Sequence, residues 1–330
     1  MDKKSKSVGI VGIGFYVPEK IITNFDLEKT LDTSDEWIYT RTGIKERRVV
    51  ADNQFASDLA AESSLRALKN AGMKPEEVEL IVVCTLSPDM FFPSTACIVQ
   101  SKIGAINSAC FDIEAACSGF NYGLCIAESF IKSGQYNNVL LIGTEVFSRI
   151  LDWQDRSTCV LFGDGAGAVV LREVSNNSGI LSHYLNADGT GTDLLNLPAG
   201  GSRLPASIET VNQRLHYLKM NGREIYKFAT KMIPEAVKNS LNKAGLTEKD
   251  IDLLIPHQAN IRIINTVAEK LKLPMEKVFI NIHKYGNTSA ASIPIALSEA
   301  ISENRIKKND IVVLTSFGAG LTWGASVIRW

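Results

Sequence analysis

Two kinds of apolar pattern alternate along the chain. Leu80–Thr85 (LIVVCT) and Val139–Gly143 (VLLIG) are short continuous apolar runs, which predict strands buried on both faces. Ser118–Ile131 lies between them and predicts a helix. Asp58–Ala71 predicts another, with Leu59, Ala60, Ser63, Ala67 and Leu68 on one face. Such alternation predicts a layered α/β fold with largely buried strands.

The pattern then repeats. Ala71–Thr85 (AGMKPEEVELIVVCT) and Ala244–Gln258 (AGLTEKDIDLLIPHQ) both run from an Ala-Gly helix end, through an acidic turn, into a buried strand, 173 residues apart. Val139–Thr144 (VLLIGT) and Ile311–Ser316 (IVVLTS) repeat the strand signal 172 residues apart. Leu161–Leu171 and Ser316–Arg329 each set a glycine-rich turn before a closing strand. Landmarks in one order at nearly one offset predict two copies of one α/β unit. The expected halves are residues 1–175 and 176–330, divided in the polar stretch Ser175–Ser178. At about 150 residues per domain, two units also suit the length. Asn186–Pro205, rich in Gly, Pro and polar residues, predicts a loop excursion.

Composition removes several classes of function. Thirty-five Lys plus Arg against 36 Asp plus Glu leave a net charge of −1, so no global basic field holds nucleic acid or an anionic membrane. The longest uncharged run, Ile311–Ile328, carries Thr315, Ser316, Thr322, Ser326 and three glycines, which argues against a membrane span. The basic start MDKKSKSVGIVGIG has no apolar segment before a cleavage site, and no secretion signal is read there. The six cysteines form no C-x-x-C pair and no zinc or disulfide spacing. A reducing, cytoplasmic compartment is expected. Two glycine motifs mislead. Gly12-Ile13-Gly14 lacks the third glycine of a dinucleotide fingerprint. Gly163-x-Gly165-x-x-Ala168 leads into a strand, where pyrophosphate would need a helix N-terminus.

Three residues stand where chemistry is done. Cys117 falls at a turn from the strand Phe111–Ile113 into the following helix, where free N–H groups and the helix dipole favour a thiolate and hold an oxyanion. His257 follows the strand Asp252–Ile255, and open α/β sheets bind ligands at such carboxyl ends. Asn287 precedes a small-residue helix. If the halves are copies, the Gly286–Asn287 turn is the equivalent of the Cys117 turn. The two then face each other across a pseudo-twofold axis, which brings Cys, His and Asn together.

The segments 33–48 (TSDEWIYTRTGIKERR), 115–123 (AACSGFNYG), 156–171 (RSTCVLFGDGAGAVVL), 256–263 (PHQANIRI), 284–294 (KYGNTSAASIP) and 316–325 (SFGAGLTWGA) resemble the β-ketoacyl-acyl-carrier-protein synthase III family. The resemblance runs through essentially the whole chain. It implies the thiolase fold, two duplicated α/β halves in five layers, αβαβα. It also implies the initiating condensing enzyme of type II fatty-acid synthesis, an acyltransferase. Cys117 matches the acyl-accepting nucleophile, and His257 with Asn287 the pair that serves malonyl decarboxylation. Backbone N–H groups of Cys117 and Ala319 match the oxyanion hole. Trp37 and Arg156 match the residues that sandwich the CoA adenine. Thr33, Arg41, Gly222, Tyr226 and Asn260 match the CoA channel. Gln258, Ala259, Asn260, Ile261 and Arg262 match the carrier-protein docking segment, and Lys219, Lys227 and Lys284 are candidates to extend it. Phe92 matches an acyl-pocket residue supplied across a homodimer. The chain departs from the family in Tyr226, where Phe is frequent, and in Ala319, where Gly is frequent. The implied substrates are an acyl-CoA, acetyl-CoA by default, and malonyl-acyl-carrier protein, with no metal and no cofactor. A Cys–His–Asn hydrolase is the rival from another reaction class, but Cys117 lacks the C-G-[SA]-C-[WY] context of papain-like proteases. A non-catalytic thiolase-fold binding protein is the other rival, and all three polar residues are retained against it.

Overall fold

The computed structural model describes residues 6–175 and 178–330. The first half supplies β1 (Ser7–Tyr16), α1 (Ala56–Ala71), β2 (Leu80–Cys84), α2 (Thr95–Ile103), β3 (Ala109–Ile113), α3 (Gly119–Ser133), β4 (Asn138–Glu145) and β5 (Gly165–Val174). Its five-stranded sheet has the order β1-β5-β4-β2-β3. β2 runs parallel to β3 and β4, and β5 runs antiparallel to β1 and β4. The second half supplies β6 (Gly179–Ala187), α4 (Gly222–Lys243), β7 (Leu253–Pro256), α5 (Ile261–Leu271), α6 (Ser292–Ser302), β8 (Ile311–Gly318) and β9 (Thr322–Arg329). The order β6-β9-β8-β7 and the strand directions repeat those of the first sheet. A lone parallel bridge, Leu254 to Val278, stands where β3 would recur. The expected boundary at 175/176 involves Asn176 and Asn177, which lie outside the described residues.

Alternation along the strands builds the layers. Leu80, Val82 and Cys84 of β2 point to one face, with Leu253 and Ile255 of β7 and Val312 and Leu314 of β8. This face packs on Phe120, Leu124, Ala127 and Ile131 of α3 and on Ile293, Ala296, Leu297 and Ala300 of α6. The two helices therefore form a central layer shared by both sheets. Ile81 and Val83 point the other way, onto α1 and α2. Leu254 and Val313 likewise face α4 and α5. Sheets buried on both faces explain the continuous apolar runs in the sequence.

Both glycine motifs serve packing. A Cβ on Gly12 would lie 2.4 Å from Ala67 O, and one on Gly14 would lie 2.5 Å from Ala67 N, so α1 presses directly on β1. A Cβ on Gly167 would lie 2.7 Å from Pro294 Cβ, where α6 crosses β5. The expected excursion at Asn186–Pro205 is partly regular. Asn186 pairs with Trp323 at the end of β6, Gly189–Leu194 is a 3-10 turn, and Leu195–Asn196 pairs with Lys219–Met220. Pairing with distant strands overrides the loop-forming composition there.

Candidate active site

Cys117 sits in one 3-10 turn, Ala116–Ser118, between β3 and α3. Ala116 takes φ 49°, a left-handed conformation that costs a residue bearing a Cβ of order 1–3 kcal/mol. The equivalent turn of the second half is Ser289–Ala291 before α6, three residues beyond the expected Gly286–Asn287, and it repeats the strain, with Ser289 at φ 47°. Gly318, at the end of β8, closes on the nucleophile: a Cβ there would lie 2.6 Å from Cys117 N. The Thr322 hydroxyl donates to the carbonyls of Ala115 (2.9 Å) and Ala319 (3.1 Å), and Ser118 Oγ donates to Thr322 O (3.1 Å). These bonds tie the Ala319 turn to the Cys117 turn. Ala319 is not among the residues with positive φ, so alanine there carries no left-handed strain.

Cys117, His257 and Asn287 line one cavity of about 230 Å³. His257 is buried, directly after β7, with its ring edge-on to Phe317 at 5.7 Å. Its Nδ1 lies 2.6 Å from Ser292 Oγ, and the same oxygen accepts the Gln258 N–H at 3.3 Å. The Ser292 hydroxyl has no other acceptor among the described residues, so its proton is assigned to Nδ1, and His257 carries its own proton on Nε2. Asn287 Oδ1 accepts the Ser289 N–H at 2.8 Å, which leaves the side-chain NH₂ as the group to donate. The backbone of Asn287 is fixed by Leu161 O (2.8 Å) and Gly163 N–H (3.1 Å). The site therefore presents a thiol and two neutral donors. Burial lowers the His257 pKa to about 3, so the imidazole is neutral.

The thiol departs from the sequence expectation. Burial pushes Cys117 up to about 12; the Ser289 hydroxyl and the residue's own N–H pull it down, while Glu145 and Glu114 push it up. Desolvation is the largest influence on it and favours the neutral thiol.

Gly222, Tyr226, Ala259 and Asn260 line the same cavity, with Leu161, Phe162, Met220, Ile225 and Ile263 adding apolar wall that sequence reasoning missed. Tyr226 OH meets Thr266 Oγ1 at 3.0 Å, a bond that phenylalanine would lack. Trp37, in the helix Asp35–Thr42, lies under the guanidinium groups of Arg41 (4.6 Å) and Arg156 (5.3 Å). Ser157, the neighbour of Arg156, lines the cavity, so this cluster stands beside it. Arg156 is paired with Asp32 at 3.1 Å. Thr33 Oγ1 is buried without a partner.

The segment Gln258–Arg262 lies only partly at the surface. Gln258 is 1% exposed and acts as an internal strut. Its Nε2 donates to Pro256 O and Phe279 O, and its Oε1 accepts from Asn281 N and Ile282 N. Ala259 is buried in the cavity wall, Ile261 packs on Gly43, and Asn260 caps α5 through Arg262 N (2.8 Å). Arg262 alone is exposed, its guanidinium resting on Thr40 O. Residues that open a helix beside a packed strand turn their side chains inward, so contiguity in sequence does not make a surface. Phe92 is 84% exposed beside Phe91 at 83%, and neither reaches the cavity of its own chain. A surface concavity of about 1000 Å³ over Tyr16, Glu62 and Lys102 is an open polar furrow that holds none of these groups.

The two sheets, the helix layer they share and the cavity with its thiol, imidazole and amide define the class: an acyltransferase of the thiolase fold. Residues 111–189 match the family model for 3-oxoacyl-[acyl-carrier-protein] synthase III, and residues 241–330 match its C-terminal model. The chain is 59% identical over 324 residues to a beta-ketoacyl-[acyl-carrier-protein] synthase III of Caldanaerobacter subterraneus subsp. tengcongensis, covering 98% of each. It is 56% identical to the synthase III of Clostridioides difficile, with 98% of each covered. The solved Aquifex aeolicus 3-oxoacyl-[acyl-carrier-protein] synthase III superposes with a TM-score of 0.91 at 51% identity, covering 98% of this chain and all of that one. The chain belongs to the 3-oxoacyl-acyl-carrier-protein synthase III family.

Proposed function

We propose that the chain condenses an acyl-CoA primer with malonyl-acyl-carrier protein, giving a β-ketoacyl-carrier protein, CoA and CO₂, and so starts fatty-acid synthesis. The observation that carries this reading is the meeting of Cys117, His257 and Asn287 in one cavity, with both donors held neutral and correctly oriented. The Cys117 sulfur attacks the primer thioester, and the N–H groups of Cys117 and Ala319 hold the tetrahedral oxyanion. CoA leaves and an acyl-Cys remains. Malonyl-carrier protein then loses CO₂, and negative charge gathers on its thioester oxygen. His257 Nε2–H and the Asn287 NH₂ donate to that oxygen; each such donor is worth roughly 3 kcal/mol. The enolate carbon attacks the acyl-Cys. This chemistry calls for a nucleophile and hydrogen-bond donors, and we assign it no metal and no cofactor.

Acetyl-CoA is the assigned primer, taken up with its adenine between Trp37 and Arg156. Thr33, Arg41, Gly222, Tyr226 and Asn260 line its channel. The exposed pair Phe91 and Phe92 supports a homodimer in which Phe92 closes the partner's acyl pocket; water-exposed aromatic pairs of this size mark interaction sites. Among the described residues no helix is long and apolar enough to cross a membrane. We assign a cytoplasmic location on the cysteine spacing, and no nucleic-acid partner on the charge balance. The experiment is to incubate the protein with a series of acyl-CoAs and weigh it intact. One acyl mass on Cys117, greatest with acetyl-CoA and lost in Cys117→Ser, is expected. An unmodified chain with every acyl-CoA contradicts the assignment.

A further inference from the structure

The two donors to the enolate oxygen come from separate strips of chain. His257 follows β7, while Asn287 follows the short helix Ile282–Tyr285. Both must meet one oxygen, and a donor displaced by an ångström loses much of its value. One side chain is bonded to both strips. Gln258 is buried and fills all four of its side-chain hydrogen-bonding positions. Its Nε2 donates to Pro256 O at 2.8 Å and to Phe279 O at 3.2 Å. Its Oε1 accepts Asn281 N at 3.0 Å and Ile282 N at 3.2 Å. Its own backbone N–H reaches Ser292 Oγ at 3.3 Å, the oxygen that holds His257 Nδ1. Pro256 precedes His257, and Asn281 and Ile282 open the helix that leads to Asn287.

A second buried group holds the same short helix from another side. Glu299 lies on α6, the helix that Ser292 opens. Its Oε2 accepts Asn281 Nδ2 at 2.9 Å, and its Oε1 accepts Tyr285 OH at 2.6 Å and Lys284 Nζ at 3.3 Å. Asn281 is the N-cap of the short helix and Tyr285 its last residue, so the carboxyl group spans it from end to end. Beyond it, Gly286 takes φ 64°, and a Cβ there would lie 2.8 Å from Leu161 O. The chain therefore enters Asn287 by a path with little freedom. The bonds close a ring: from His257 to Ser292, along α6 to Glu299, through Asn281 to Gln258, and back to His257 along the backbone.

We infer that Gln258 and Glu299 form a brace that sets the spacing of His257 and Asn287, and so are positioning residues for malonyl decarboxylation. This rests on the condensing function proposed above. Neither side chain lines the cavity, so each acts through the turns it holds. The inward-facing amide also separates this role from carrier docking, because a group 1% exposed offers nothing to a protein surface. Cys117 stands in the other half of the molecule, and none of the brace bonds reaches it. Acylation therefore does not depend on the brace. An apolar side chain of the same length at position 258 would strand two N–H groups and two carbonyl groups in the interior, each at the full cost of its lost hydration. The Asn281 turn shifts to relieve them and carries Asn287 with it.

The test measures both half-reactions of the intact chain. Acyl-Cys117 formation from acetyl-CoA is read as intact mass, and CO₂ release from malonyl-carrier protein is read with kcat and KM resolved. Gln258→Met is expected to lower kcat for CO₂ release at least about tenfold, with KM and the rate of acylation unchanged. Tyr285→Phe, which keeps the ring and removes one bond to Glu299, is expected to lower the same kcat at least about threefold. A raised KM with unchanged kcat overturns the brace in favour of docking. Equal losses in both half-reactions overturn it in favour of a general packing role. Wild-type values in a folded Gln258→Met overturn it outright. Should that variant not fold, Tyr285→Phe decides, and a wild-type kcat there overturns the brace. A wild-type chain that acylates but releases no CO₂ contradicts the condensing function itself, and the brace with it.

Discussion

At the scale of single residues, the site depends on which atoms hold protons. Ser292 sets the His257 tautomer: without its hydroxyl, Nδ1 is left buried and unpaired, at a cost of about 1–3 kcal/mol, and the proton is no longer confined to Nε2. Ser292→Ala is expected to slow malonyl decarboxylation by one to two orders of magnitude, about the value of one partly lost donor, and to spare acylation of Cys117. Separate assays of CO₂ release and acyl-enzyme check this, and equal losses in both steps would contradict it. The pH behaviour of His257 follows from its burial. Its folded pKa, about 3, lies below the ordinary 6.5, so the unfolded chain binds a proton that the folded chain excludes. That stability is present above about 6.5 and is lost as pH falls toward 3. Glu145, raised to about 7 from 4.5, acts in the opposite sense as pH falls from 7. Comparing wild type with His257→Asn isolates the histidine: the Tm of the variant relative to wild type is expected to rise as pH falls from 6.5 to 4.5. A constant difference would show that the ring is not buried neutral. Cys117 was legible in the sequence because a strand pattern breaks into a helix pattern around it. Ser292 was not, because its significance lies in the distant side chain it meets.

At the scale of elements, the duplication is held together by close approaches of backbone. α1 lies so near β1 that Gly14 has no room for a methyl group against Ala67 N at 2.5 Å. Gly14→Ala is expected to cost about 1–3 kcal/mol through overpacking, read as a lower denaturation midpoint with an unchanged m-value. An unchanged midpoint would show that α1 can slide on the strand. The buried parallel strands were legible as apolar runs, and α1 and α3 as periodic faces. β1 and β6 were not, since their glycines and polar residues become strand only by pairing with β5 and β9. The docking segment shows the same limit at the start of α5. The sequence fragment QANIR reads as one surface, but Gln258 turns inward to hold the Asn281 turn while Arg262 turns out.

At the scale of the whole molecule, charge and symmetry decide what can approach. A net charge of −1 gives no general attraction for an acidic carrier protein, so a local group must supply it. Of the candidate lysines, Lys284 is paired with Glu299 and Glu303, and Lys227 with Glu224. Among the described residues Lys219 has no ion-pair partner, and Arg262 is exposed and bonded only to a carbonyl. Arg262→Glu is expected to raise KM for malonyl-carrier protein about tenfold and to leave KM for acyl-CoA unchanged. The wild-type carrier KM should also rise with salt, through screening. Equal effects on both substrates would contradict a docking role. The two-copy plan was legible because one pattern recurs at a nearly fixed offset, whereas the five layers came only with the family resemblance. The shared helix layer explains why Cys117 and the His257–Asn287 pair, from different halves, meet in one cavity. The division of labour between those halves is the centre of the account. It is tested most directly by measuring acyl-Cys117 formation and malonyl decarboxylation separately in His257→Ala and Asn287→Ala. Both variants are expected to acylate like wild type, while each loses about 10²–10³-fold in CO₂ release. A variant that decarboxylates normally but no longer acylates would contradict it.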